Sequence, residues 1–144
     1  MIDYAVHDRA ASIYNTPPIF AVYLVDAVVS QLIERFGSLG AIDKFSKEKS
    51  GMLYELVDRD LNQQLYAPVQ PPIYRSRMNV VLRGRMQEAN VAEAALVKAA
   101  ADNGILGIQG HRLAGGGLRV SLYNAVSKED VETLVSFLRQ HLNQ

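Results

Sequence analysis

The apolar run from Ile19 to Ile33 narrows the possible folds of this chain more than any other feature. Ile19, Phe20, Tyr23, Leu24, Ala27, Val28, Leu32 and Ile33 recur at helical spacing. The stripe is broad enough to need cover on more than one side. Asp26, Ser30 and Gln31 interrupt it, and it is too short to span a bilayer. Thr16-Pro17-Pro18 reads as the helix start, since threonine caps well and proline at the first helical position gives up no useful donor. Gly37 ends it. A chain of 144 residues, 49% hydrophobic and 21% charged, can supply a core, because a domain of this size removes roughly 68–70% of its unfolded surface from water. With no cysteine, disulfide scaffolds, thiolate zinc sites and thiol nucleophiles are excluded. Fifteen Lys and Arg balance fifteen Asp and Glu, which leaves no net attraction to nucleic acid or to an anionic membrane. Met1 to Ala10 has no apolar run of signal-peptide type, so a cytoplasmic protein is expected.

Before Thr16 no period is visible, and the first fifteen residues read as an extended lead-in. A second helix is expected from Ser38 to about Asp58, with Leu39, Ile42, Phe45, Met52, Leu53 and Leu56 on one face and a solvated charged stretch from Asp43 to Ser50. The proline-rich segment Leu61 to Tyr74 reads as loop with at most a short strand near Leu65-Tyr66. Arg77 to Arg83 reads as a strand. Asn90 and Glu93 have the spacing of a capping box ahead of an alanine-rich helix that closes near Gly104. Ile105–Ile108 and Leu118–Tyr123 read as strands joined by a glycine-rich loop. A last helix starts at Ser127, with Val131, Leu134, Val135, Leu138 and Leu142 on one face. The order points to an α/β layer in which helices cover a small, mainly antiparallel sheet.

Ten of the fifteen cations are arginine, the residue suited to two-point recognition of carboxylate and phosphate. Two places suit an anion. At Asn15-Thr16-Pro17-Pro18 a helix N-terminus offers backbone N–H groups and partial positive charge, with an amide and a hydroxyl donor beside it. The alternative is that Thr16 simply caps the helix. At Gly110-His111-Arg112 the chain enters a loop of three glycines and returns through Leu118 and Arg119, so that both arginines can turn to one ligand. The alternative there is a hairpin loop with solvated arginines. Arg75, Arg77, Arg83 and Arg85 read as surface or edge residues. No metal-ligand spacing involves His7 or His141, and no Gly-rich phosphate loop is present.

Tyr14-Asn15-Thr16-Pro17-Pro18, Arg75-Ser76-Arg77-Met78-Asn79-Val80, Gly110-His111-Arg112 and Arg119-Val120-Ser121-Leu122-Tyr123-Asn124-Ala125 stand in order along the chain. Together they resemble the C-terminal part of the phosphoserine aminotransferases, pyridoxal-phosphate enzymes of the class V aminotransferase family. The resemblance implies the small C-terminal domain of fold type I, preceded by the helical tail of the large cofactor domain, with residues 1–42 as that tail and 43–144 as the small domain. It implies a homodimer that moves an amino group between glutamate and 3-phosphohydroxypyruvate in serine biosynthesis, and in bacteria also acts on a phosphorylated oxo-acid of the pyridoxine pathway. By this resemblance Asn15 and Thr16 match residues that reach the cofactor phosphate of the other subunit. Arg119 matches the holder of the substrate α-carboxylate, and His111 with Arg112 matches the pair for the distal phosphate or carboxylate.

Two positions depart from the pattern. Gly115-Gly116-Gly117-Leu118 is one residue longer than the family's usual approach to the arginine, and Val81 stands where proline is frequent. The Schiff-base lysine of the family lies upstream of the Asn-Thr-Pro-Pro motif, whereas Lys44, Lys47, Lys49, Lys98 and Lys128 all lie downstream, on charged or exposed-looking helix positions. The resemblance therefore implies a fragment that does not catalyse transamination alone. A different reading remains beside it: a stand-alone α/β module that binds a small phosphorylated or dicarboxylic metabolite.

Overall fold

A computed structural model describes residues 3–60, 64–85, 89–111 and 116–142. The chain divides into two compact units, Met1–Ile42 and Asp43–Gln144.

In the first unit the expected extended lead-in is a short helix, α1 (Tyr4–Arg9). Asp3 starts it, accepting a hydrogen bond from the Ala5 N–H at 3.0 Å, and the chain leaves through Ala11 and Ser12 in left-handed backbone. Helix α2 (Ile19–Phe36) begins later than expected, with Pro18 at the cap position and no side chain capping it. The Ile19 N–H turns back to the Pro17 carbonyl at 2.8 Å, which leaves Thr16 upstream of the helix start. At the other end Gly37 takes a φ of +69° and donates its N–H to the Ile33 carbonyl. Position 37 suits glycine because a side chain there is strained. None of the α2 side chains is buried. Nine large apolar residues, Ile19 through Ile33, are 46–73% exposed.

Helix α3 (Leu39–Glu55) starts at Ser38, whose hydroxyl accepts from the Ala41 N–H, and continues as one π-helical turn over Leu56–Asp60. The division between the units falls within it. Leu39, expected on its buried face, is 81% exposed, whereas Leu53, Leu56 and Val57 are fully enclosed.

The second unit is built on a three-stranded antiparallel sheet, β1 (Leu65–Tyr66), β2 (Asn79–Gly84) and β3 (Leu118–Ser121), in that spatial order. The register pairs Val80 with Val120, Leu82 with Leu118, Val81 with Arg119 and Asn79 with Ser121. Side chains alternate across a strand, so Val80, Leu82, Leu118 and Val120 share one face and are buried. They pack in one core with Leu53 and Leu56, with Leu96 and Ala100 of α4 (Ala89–Asp102), and with Val131, Leu134, Phe137 and Leu138 of α5 (Lys128–Leu142). The opposite face carries Asn79, Val81, Arg83, Arg119 and Ser121, all partly exposed.

Three further stretches differ from what the sequence predicts. Ile105–Ile108 is not a strand. Gly104 and Gly107 take φ of +78° and +79°, the Ile105 N–H caps α4 at the Ala100 carbonyl, and Gln109 forms an isolated bridge to Leu118. Asn90 lies inside α4 rather than before it, and the Glu93 carboxylate bonds to distant backbone instead of closing a capping box. Asp43–Ser50 is not uniformly solvated, because Ser46, Lys49 and Ser50 are buried.

Candidate functional site at the glycine-rich loop

Strand β3 carries Arg119 onto the sheet face away from the core, and the chain approaches it through Gly116 and Gly117 at φ of +93° and +87°. Gly117 is held on both edges. Its N–H donates to Glu93 Oε2 at 2.5 Å, and its carbonyl accepts from the Gly110 N–H at 2.8 Å. One residue beyond Gly110 stands His111, which is exposed. The closeness of these segments explains the glycines: a Cβ on Gly110 meets the Gly116 carbonyl oxygen at 2.3 Å, and one on Gly117 meets the Leu82 oxygen at 2.8 Å. Neither backbone oxygen can yield cheaply.

Arg119 donates its backbone N–H to the Ile108 carbonyl at 2.8 Å, which fixes its main chain. Its side-chain Nε is buried and has no hydrogen-bond partner among the described residues. A buried donor left unpaired is costly. Arg112 lies outside the described residues. Asn15 and Thr16 belong to the first unit, both exposed, on the segment ahead of α2.

The other arginines correct the surface reading in part. Arg75 clasps Asp58 with two bonds, at 2.5 and 3.0 Å, its side chain only 6% exposed and its guanidinium 4.9 Å from the centre of the Tyr54 ring. The Asp58 carboxylate holds this guanidinium above its ordinary pKa. Burial likewise pushes the Tyr54 phenol up, and its hydroxyl donates to the Ser76 carbonyl at 2.8 Å. Arg77 pairs with Asp43, and Arg85 lies over the Tyr66 ring. Two motif segments meet on the outer face, where the Asn79 side-chain oxygen accepts from the hydroxyls of Ser121 at 3.3 Å and Tyr123 at 3.4 Å.

Two residues of this region escape a reading of the sequence. Lys49 is fully buried, and its ammonium donates to the carbonyls of Leu122, Tyr123 and Val126 at 3.2, 2.9 and 2.8 Å. It thereby ties α3 to the turn that follows β3. A signal existed: Phe45, Lys49, Leu53 and Leu56 recur at helical steps of four, four and three, so Lys49 lies on the apolar face. Glu93 shares its helix face with Leu96 and Ala100 in the same way, but its partners in β2 and the glycine loop are not visible in the sequence.

The aminotransferase class-V family model matches residues 1–134. The chain belongs to the class-V aminotransferases. Among class-V relatives, it is 37% identical over 139 residues to phosphoserine aminotransferase 1, chloroplastic, of Arabidopsis thaliana, covering 96% of this chain and 31% of that protein. It is 36% identical to the phosphoserine aminotransferase of Desulfosudis oleivorans, covering 97% and 37% respectively. The chain thus spans about a third of the length of these curated relatives. Solved class-V structures agree in fold. The pyridoxal-phosphate-bound phosphoserine aminotransferase of Trichomonas vaginalis superposes with a TM-score of 0.81 at 33% identity, over 95% of this chain and 37% of that one. The enzyme of Bacillus circulans subsp. alkalophilus gives 0.82 at 34% identity, over 96% and 36%. The α/β arrangement of an antiparallel sheet with covering helices is that of these class-V enzymes. No helix among the described residues is long and apolar enough to cross a membrane.

Proposed function

We propose that these residues are the C-terminal part of a phosphoserine aminotransferase, a pyridoxal-phosphate-dependent homodimer that moves an amino group between glutamate and 3-phosphohydroxypyruvate in cytoplasmic serine biosynthesis. A phosphorylated oxo-acid of pyridoxine biosynthesis is a further substrate in this reading. Residues 43–144 are its small domain and residues 1–42 the tail of its large domain.

The observation that carries the proposal is the buried Nε of Arg119, without a partner among the described residues, beside a glycine loop held from both edges, in a chain similar to phosphoserine aminotransferases over nearly all its length. Arg119 binds the α-carboxylate with its planar fork, while His111 and Arg112 take the distal phosphate of one substrate and the side-chain carboxylate of the other. Asn15 and Thr16 hold the cofactor phosphate of the partner subunit. The donor chemistry fits that phosphate: an amide and a hydroxyl stand exposed, and no acidic residue lies between Ile13 and Val25. Pyridoxal phosphate, when bound, supplies the electron sink for amino transfer. The lysines of this chain do not serve it. Lys49 in particular is enclosed by three carbonyls, a set that stabilises a fixed ammonium rather than a nucleophilic amine. Nine exposed apolar side chains on α2 favour this reading over a stand-alone binding module, because such a patch is unusual on a soluble monomer.

The test is kinetic. In the complete enzyme Arg119→Lys keeps the charge and loses the fork, and kcat/KM for O-phosphoserine with 2-oxoglutarate is expected to fall by tenfold or more, about the worth of one charged hydrogen-bonded contact. An unchanged kcat/KM removes Arg119 from the site. Turnover by the 144-residue chain alone sinks the fragment reading.

A further inference from the structure

Glu93 is 6% exposed and, among the described residues, makes no ion pair. A buried carboxylate without a cation is expensive. It is sustained here by two backbone donors on different segments: Gly84, at the end of β2, donates to Oε1 at 2.9 Å, and Gly117, at the entry to β3, donates to Oε2 at 2.5 Å. Such charge-assisted bonds are about twice as strong as neutral ones.

The position of Gly117 decides what this grip controls. The Gly117 carbonyl holds the Gly110 N–H, next to His111, and Arg119 follows Gly117 by two residues. His111 and Arg119 are thus referenced to one peptide segment, and Glu93 anchors that segment from α4. Left-handed backbone at Gly116 and Gly117 has little stiffness of its own, since glycine visits many conformations at similar cost. We infer that Glu93 is a positioning residue of the substrate site: its carboxylate locks the glycine strap so that His111 and Arg119 face one anion in fixed register. The inference rests on the proposed role of Arg119. It does not need Glu93 to touch substrate.

Glutamine at this position keeps one acceptor and turns an NH2 donor toward the other N–H, so Glu93→Gln releases one end of the clasp. In the complete enzyme, KM for both O-phosphoserine and glutamate is expected to rise about tenfold, with the absorbance of the bound cofactor unchanged. Glu93→Asp, which retains the carboxylate, restores part of the loss. A purely structural role is separated by Leu96→Ala on the same helix, chosen for a similar loss of Tm and expected to leave KM alone. Equal rises in KM for Glu93→Gln and Leu96→Ala, or no rise for Glu93→Gln, overturn the inference. Should Arg119→Lys also leave KM unchanged, the proposed site itself is wrong; should only Glu93→Gln do so, the positioning role alone fails. Amide hydrogen exchange on the unmodified protein is the second measurement, independent of whether any variant folds. Gly117 is expected among the protected amides, and free exchange there removes the clasp.

Discussion

Helices α2 and α5 make opposite use of their side chains. α2 has eighteen residues, most of them apolar, and buries none; α5 has fifteen, is far more polar, and buries Val131, Leu134, Phe137 and Leu138. Their N-termini differ in the same direction. No side chain caps α2. At α5 the Ser127 hydroxyl accepts from the Asp130 N–H at 3.1 Å while the Asp130 carboxylate accepts from the Ser127 N–H at 2.9 Å, a reciprocal box. The lesson is that apolar content sets how much surface a helix offers, and the layer opposite sets how much it buries. An amphipathic helix on a sheet is satisfied by one neighbour, whereas a helix apolar on several sides needs several.

The largest effect that can break this contrast is a matched deletion. Leu138→Ala is expected to cost about 2–5 kcal/mol in urea unfolding of the 144-residue chain, and Leu24→Ala to stay within about 0.5 kcal/mol. A comparable loss at Leu24 shows that α2 is covered after all. Next comes the buried cation of the second unit. Lys49→Met leaves carbonyls of Leu122, Tyr123 and Val126 unpaired, and a loss of about 2–3 kcal/mol is expected. Loss near zero places the ammonium in water. The smallest test concerns the helix starts: Ser127→Ala is expected to cost about 1 kcal/mol, and Thr16→Ala nothing measurable, because Thr16 caps nothing. The same cap titrates. Bonds from the Ser127 N–H and hydroxyl hold the Asp130 carboxyl below its ordinary pKa. Its contribution is therefore complete above the unfolded value and fades as pH falls through the lower folded one. Asp130→Asn should flatten that acid limb in a stability profile.

Local chemistry carried far into this fold. Gly37, the short strand at Leu65-Tyr66, the helix start at Ser127 and the strand from Asn79 each follow from a few neighbouring residues, since a cap or a left-handed turn closes within one turn of chain. The errors also have local causes. Asp3 caps a helix too short for a period to show, and two positive-φ glycines break a run that alternation alone reads as a strand. At the site, the arginine motif and the glycines were legible, but their geometry was not. Arg75 looked like an edge residue until Asp58, seventeen positions away, met it.

By itself the sequence determined the family, the four longer helices, the strands around Val80 and Val120, and the residue types suited to an anion. Tertiary structure alone decided what the buried charges pair with. Glu93 and Lys49 each fall on the apolar face of a helix, and each is enclosed because its partners are backbone groups brought up from distant segments. A charge enters a core only where such groups replace its water, and a helical row can mark such a position without naming the distant groups that will hold it.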